Sequence, residues 1–130
     1  MSDYLPVQEP GKAITLTTSA AVTGGQLVAI SGSGTIAPAA AGSTKVVGVA
    51  AQDTASGAQV TVYARGTVHE STTSGAVTAG DELVSAAGGK VSTLAAAAGA
   101  TAADINNARA VLGFALYTAA DAALVQWMEH

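Results

Sequence analysis

The sequence predicts an all-β protein, a small β-barrel or β-tulip-like domain that is rich in Gly and Ala and has at most one short helix. Two observations predict this fold class. Four sequence blocks recur in the same order in the two halves of the chain. Short apolar runs also alternate with glycine-containing turns at close intervals, as in small barrels. The chain has 130 residues, the length of a single domain. Halves of about 60 residues would each be marginally stable, so we expect them to share one core.

Residues 1–12 are predicted to form an extended N-terminal arm, because two prolines disfavour a helix and remove backbone donors. The arm nevertheless carries apolar side chains that a solvated tail does not need. Two interpretations remain open, a disordered terminus and a tether that orders on the surface of a partner. The candidate contact residues are Tyr4, Leu5, Pro6 and Val7.

Residues 13–130 are predicted to form a single β domain with half-repeats at about 13–70 and 71–130. The recurring blocks consist of turn glycines and apolar runs, which build a scaffold, whereas the connections between them differ. A scaffold repeated without repeated reactive groups indicates a structural protein. The matching segments are 22–28 with 77–84, 34–36 with 89–91, 47–50 with 112–115, and 60–63 with 124–127.

Four segments of the first half carry strand signals. Residues 14–17 and 59–65 alternate between apolar and polar side chains, the pattern of a half-buried strand. Residues 27–30 and 46–49 are continuous apolar runs, short enough to be strands that are buried on both faces. Glycines separate these runs, and glycine permits the positive φ that tight connections require.

The connection from residue 94 to residue 112 departs from the strand pattern, being about nine residues longer than its counterpart in the first half. Thr101 is a plausible N-cap with Asp104 at the third helical position, so residues 102–109 could form two helical turns. The alanine-rich run at 95–100 could equally be a loop.

Composition and charge exclude several classes of function. The formal net charge is −4, and the five basic residues are scattered along the chain. This distribution predicts no binding to nucleic acid and none to anionic membranes. Cysteine is absent, so disulfides and thiolate metal sites are excluded. The first residues lack the basic start and apolar core of a signal peptide, and we expect synthesis in the cytoplasm.

Few side chains could support catalysis, and no catalytic, cofactor-binding or metal site is predicted. His69 and Glu70 are neighbours on an expected strand, so their side chains should point to opposite faces. Asp81 and Glu82 are expected to lie at an exposed turn. The glycine motifs at 32–37 and 89–92 lack the helix or the hydroxyl that nucleotide binding needs, which favours hairpin turns.

Two aromatic residues stand at matching places in the last block of each half. Tyr63 and Trp127 close the strands expected at the end of the first and second halves. A lone Trp is usually a core or interface anchor, because it buries a large apolar area. We therefore expect Tyr63 and Trp127 to anchor the core or an oligomer.

Several segments taken together resemble the bacteriophage capsid decoration, or cement, proteins. The resemblance runs from about residue 4 to residue 94, and the Gly-Phe-Ala block at Gly113 extends it, whereas the alanine-rich insertion before Arg109 departs from it. The segments that carry it are 10–17, 21–25, 47–50 and 66–70, with Gly57, Val60 and Val62.

The resemblance implies a small β-rich protein that binds the outside of an expanded phage head and stabilises contacts between subunits of the major capsid protein. It also implies a homotrimer, no catalysis and no cofactor. Two alternatives remain: another virion or cell-surface β module, such as a tail or spike component, and a ligand-binding or hydrolytic β-barrel. The second would require His69, Glu70 and Asp81 to converge around a deep pocket.

Overall fold

The computed structural model describes residues 13–64, 68–94 and 109–129. The predicted all-β class is confirmed, since strands form the regular structure of these ranges. The N-terminal arm, most of the long connection before Arg109 and the terminal His130 lie outside the described residues. The strands are β1 (Ala13–Thr18), β2 (Leu27–Gly32), β3 (Thr35–Pro38), β4 (Val46–Ala50), β5 (Gln59–Ala64), β6 (Val68–Thr72), β7 (Glu82–Ala86), β8 (Lys90–Thr93), β9 (Gly113–Ala115) and β10 (Leu124–Glu129).

The two halves have the same strand topology. The first five strands form a closed barrel in the order β1-β3-β2-β4-β5, in which β1 pairs with β5 as well as with β3. The last five strands form a sheet in the order β6-β10-β9-β7-β8. If β6 to β10 are matched with β1 to β5 in chain order, each pair of neighbours in this sheet is also a pair of neighbours in the barrel. The parallel pairing of β1 with β3 is reduced in the second half to one bridge, Thr73↔Val91. The last strand of the first barrel ends at Ala64, and the first strand of the second sheet begins at Val68.

Strand register corrects the residue correspondence at two places. Val28 pairs with Gly48, and Leu83 pairs with Gly113. Val28 therefore corresponds to Leu83, and Leu27 corresponds to Glu82 rather than to Leu83.

The same correction applies to the last block. Val62 pairs with Ile14, and Trp127 pairs with His69. Trp127 therefore corresponds to Val62, and Tyr63 corresponds to Met128. Matching by residue type misplaced these positions by one residue, and a shift of one residue exchanges the two faces of a strand.

A repeated turn explains the similarity of segments 22–28 and 77–84. In the first half, the Thr23 N–H donates to the side-chain oxygen of Gln26 at 2.8 Å. In the second half, the Thr78 N–H donates to the carboxylate of Asp81 at 2.9 Å. Gly25 and Gly80 both have φ of 90°, a conformation that disfavours other residues. Each turn leads directly into the second strand of its half.

The apolar residues form two cores. One core lies within the first half, and both halves contribute to the other. The interior of the first barrel is one cluster. The run of β4 is largely buried on both faces as expected, whereas that of β2 is buried only from Leu27 to Ala29, because its last residue, Ile30, is 42% exposed. The other cluster combines the outer face of the first barrel with the interior of the second sheet. Its members from the first half are Leu27, Ala29, Ala39, Val46 and Val49, and those from the second half are Val77, Leu83, Val91, Leu112, Ala115, Val125 and Trp127.

The turn between β7 and β8 is the contact point between the halves. The Leu27 N–H donates to the Gly89 carbonyl at 2.8 Å, and the Gly89 N–H donates to the Ala39 carbonyl at 3.2 Å. Ser85 lies beside this turn, and its hydroxyl donates to the Ala40 carbonyl at 2.7 Å. A Cβ atom at Gly89 would lie 2.8 Å from the Leu27 carbonyl oxygen. The contact therefore requires glycine, because a side chain would separate the two backbones.

Replacement of Gly89→Ala is expected to destabilise the protein more than Gly34→Ala does. The two glycines occupy equivalent turns and share φ of +71°, but nothing lies within 4 Å of a Cβ at Gly34. Gly34→Ala should therefore cost only left-handed strain, about 1–2 kcal/mol of unfolding free energy. Gly89→Ala should cost at least about 1 kcal/mol more, because it also disrupts the contact. Urea unfolding of both variants measures the difference, and equal losses would show that the contact tolerates a methyl group.

Candidate functional site

Trp127 and Tyr63 lie in different environments. Trp127 is fully buried in the second core, and its indole N–H donates to the Ser71 hydroxyl at 3.0 Å. Tyr63 lies on β5 with 48% of its surface exposed. Trp127 therefore contributes to the core of the chain itself, whereas the role of Tyr63 as an oligomer anchor stays a prediction. The arm residues Tyr4, Leu5, Pro6 and Val7 lie outside the described residues.

His69 forms a buried polar pair inside the second sheet. Its Nε2 atom lies 2.8 Å from Oε2 of Glu129, and only 7% of His69 and 4% of Glu129 is exposed. The His69 ring also packs against Trp127, with 5.3 Å between ring centroids. Glu70 is exposed on the opposite face, as the alternation of a strand requires.

The corresponding positions of the first half are apolar. Register places Ile14 at the position of His69, and counting along β5 places Ala64 at the position of Glu129. The scaffold therefore forms without this pair. Sequence analysis missed Glu129, although the alternation of Val125, Trp127 and Glu129 along β10 indicated that all three face the core.

The remaining carboxylates of interest support turns or face solvent. The carboxylate of Asp81 accepts the hydroxyl hydrogen bond of Thr93 at 3.0 Å in addition to that of the Thr78 N–H. Glu82 is exposed on β7. His69, Glu70 and Asp81 thus have separate surroundings, and no three His, Asp or Glu side chains of the described ranges are placed to hold a metal ion.

A shallow cleft of about 260 Å³ lies between the halves. Glu70 and Lys90 are the charged residues among those that line it, and neither His69 nor Asp81 reaches it. Much of its wall is backbone and small polar side chains. Of the three residues that the alternative of a hydrolytic barrel requires, only Glu70 lines this cleft, so His69, Glu70 and Asp81 do not converge around it. Its lining residues are Thr23, Gly24, Gly25, Gln26, Glu70, Ser71, Thr72, Gly88, Gly89, Lys90 and Leu124.

The outer surface of the second sheet carries exposed apolar side chains. Met128 pairs with Val68 on one side and with Phe114 on the other, so the three form a row across β6, β10 and β9. Their exposed fractions are 48% for Val68, 42% for Met128 and 37% for Phe114. Adjacent apolar groups on the outside of a sheet mark a contact surface. Sequence analysis did not identify this row, because its members are distant in the chain.

No helix among the described residues is long and apolar enough to cross a membrane.

These features define a β domain in which Asp81 and Gln26 support turns, His69 and Glu129 pair in the core, and outer strands present apolar side chains. The chain belongs to the phage cement protein family, whose model matches residues 8–128. Membership confirms the resemblance seen in the sequence and implies a virion component that associates with the phage capsid.

The N base of the head fiber gp8.5 of bacteriophage phi29 has a similar structure. Its crystal structure matches with a TM-score of 0.66 over 92% of this chain and 93% of that chain, at 19% sequence identity. At this identity the likeness concerns the fold. The comparison with curated proteins found no match.

Loss of one partner of the buried pair is expected to cost more stability than loss of both. Glu129→Ala removes the carboxylate that His69 faces, and His69→Ile leaves that carboxylate buried beside an apolar side chain. Each change should lower the free energy of unfolding by about 3 kcal/mol. The double variant, which recreates the Ile14 and Ala64 arrangement of the first half, should recover most of that loss. A double-mutant cycle by urea unfolding measures the coupling, and additive losses would contradict it.

Proposed function

We propose that this protein decorates the outer surface of the expanded phage head and stabilises contacts between subunits of the major capsid protein. The observation that carries the proposal is the family match over residues 8–128. The apolar row of Val68, Met128 and Phe114 supports it, because a protein that acts by adhesion needs surface that can be buried on a partner.

The proposed mechanism is binding linkage. A ligand that binds one state of a lattice and not another stabilises that state by its binding free energy. A head offers many equivalent sites, so a modest affinity at each site adds up over the shell. Catalysis and a cofactor are not part of this mechanism.

A rigid scaffold suits such a role. The closed first barrel leaves no edge strand open to further pairing. The shared core holds the two halves in one arrangement, so little conformational freedom is lost on binding. The proposal adds that the protein binds as a homo-oligomer, with a trimer favoured, and that residues Tyr4, Leu5, Pro6 and Val7 of the arm contact the capsid.

A second candidate function is the base of a projecting fibre or spike. The fold shared with the N base of the phi29 head fiber favours it. Negative-stain images of virions separate the two: decoration gives knobs over the head surface, whereas a fibre base lies beneath an extended projection.

Removal of residues 1–11 is expected to weaken capsid binding while the free energy of unfolding stays unchanged, because the arm is proposed to act on the partner. Binding is measured by co-sedimentation with purified expanded heads. A triple variant, Tyr4→Ala, Leu5→Ala and Val7→Ala, tests the side chains, and the double variant Gln8→Ala, Glu9→Ala is the matched control. Equal saturation of heads by truncated and full-length protein would exclude a contact role for the arm.

Saturating amounts of the protein are expected to raise the temperature at which expanded heads disrupt. The reason is linkage, since protein bound to the intact lattice is lost when the lattice comes apart. Light scattering during heating measures the shift, and unexpanded heads serve as the control, for which no shift is expected. An equal shift for both forms would show that binding does not depend on expansion.

A further inference from the structure

One backbone hydrogen bond of the first half is replaced in the second by a bond between the halves. In the first barrel, the Thr17 N–H donates to the Gly34 carbonyl at 3.4 Å. Strand register makes Thr72 the counterpart of Thr17, and Gly89 occupies the turn equivalent to that of Gly34. The Gly89 carbonyl accepts the Leu27 N–H at 2.8 Å. The contact between the halves thus uses the acceptor that would otherwise face Thr72.

Strand β6 presents an open edge. Among the described strands it pairs only with β10, and it stands at the end of the sheet. The Thr73 N–H, just beyond β6, donates to the Ala123 carbonyl at 2.8 Å. Because alternate residues of an antiparallel strand face its partner, this bond fixes which groups of β6 face β10. The N–H and carbonyl groups of Val68, Glu70 and Thr72 therefore point away from β10, toward the open side.

The open side of β6 forms one wall of the cleft between the halves. Glu70, Ser71 and Thr72 line the cleft, together with the turn at 23–26 of the first half and the turn at 88–90. An edge with open backbone groups accepts an extended peptide as an additional strand, in which main-chain hydrogen bonds provide the affinity. The structure thus offers a site for an extended segment of chain.

The N-terminal arm has the residue pattern that such an added strand needs. Alternate residues of an antiparallel strand would bond to β6, and a proline must stand where the N–H would point to solvent. Pro6 meets this condition if Leu5 and Val7 bond to β6. Residues directly opposite each other share a face of the sheet, so Leu5 and Val7 would continue the exposed apolar row at Val68. Pro6 on the new edge would also prevent the addition of a further strand.

The arm is long enough to reach another copy. It comprises the twelve residues before β1, which begins at Ala13. An extended chain spans about 3.3 Å per residue, so twelve residues reach up to about 40 Å from Ala13. A domain of this size has a radius of gyration of only about 14 Å, so an arm of this length can leave its own domain. Each copy also has one arm and one β6 edge, so an exchange around a ring uses every arm and every edge.

We propose that the arm of one copy binds the β6 edge of a second copy as an added antiparallel strand. Leu5 and Val7 form backbone hydrogen bonds with β6, and their side chains stay on the outer face, where a capsid can cover them. The contact is heterologous, because an arm meets an edge, and it closes into a ring. The inference rests on the proposed function, since it names the surfaces of the proposed homo-oligomer. The exchange needs a second copy, so truncation of the arm leaves the unfolding free energy of the dilute chain unchanged.

Proline substitution tests the alternation along the arm. Val7→Pro removes an N–H that donates to β6, whereas Gln8→Pro, the matched control, removes one that points to solvent. Val7→Pro should weaken self-association by about fivefold or more, because it removes a hydrogen bond and leaves a carbonyl of β6 unpaired. Gln8→Pro should leave self-association unchanged. Sedimentation velocity of the full-length chain over a concentration series measures the difference, and circular dichroism checks the fold.

Amide hydrogen exchange locates the receiving edge. The Glu70 amide should exchange more slowly as the concentration of the full-length chain rises, because its N–H then has an acceptor on the arm of another copy. The Ser71 amide is the internal control, since its N–H faces β10 with or without a second copy. NMR spectra recorded at several concentrations measure both rates. Protection of Glu70 that does not depend on concentration would place the arm on its own chain and overturn the exchange between copies.

Two further results would overturn the proposal: a wild-type chain that stays monomeric over the concentration series, or proline variants that associate equally. Co-sedimentation with expanded heads separates this inference from the proposed function. Heads bound at full occupancy by a chain that does not self-associate would contradict the inference alone. Arm-dependent association without head binding would contradict the decoration role alone.

Discussion

The contact between the β7–β8 hairpin and the first barrel is the constraint on which the rest of the structure depends. The first barrel closes on itself, but the second sheet is joined at the corresponding place by the single bridge between Thr73 and Val91. The core of the second sheet is completed by the outer face of the first barrel, on which Leu27 is fully buried. Burial of one such side chain stabilises a fold by about 1.5–3 kcal/mol. The second half therefore depends on the first.

The two halves have the same strand topology but differ in the side chains that fill their cores. Where the first barrel has Ile14 and Val62 in its interior, the second sheet has His69 and Trp127. The indole is larger than the side chain of valine and brings an N–H that needs an acceptor when buried, which Ser71 supplies. The pair of His69 and Glu129 adds a further directional hydrogen bond to a core that consists largely of apolar residues. Such pairs favour one packing arrangement over others more than they add stability.

Membership of the phage cement family agrees with a molecule in which several polar side chains serve its own turns and core. Asp81 and Gln26 cap equivalent turns, and the buried histidine faces a carboxylate instead of a cleft. Among the described residues, some apolar side chains on strands stay exposed, such as Met128 and Ile30. The proposed decoration role would depend on surface of this kind, which becomes buried against a partner.

The sequence by itself determined the strands, the turns and the twofold repeat, because period-two alternation and glycine at positive φ are local properties of the chain. It also separated His69 from Glu70, since neighbours on a strand face opposite sides. Only the tertiary structure decided the register, which moved the counterpart of Trp127 from Tyr63 to Val62 and that of Glu82 to Leu27. It alone paired His69 with Glu129 and aligned Val68, Met128 and Phe114. These features depend on strand pairing between distant segments, which a comparison of residue types along the chain does not reveal, because a slip of one residue exchanges the two faces of a strand.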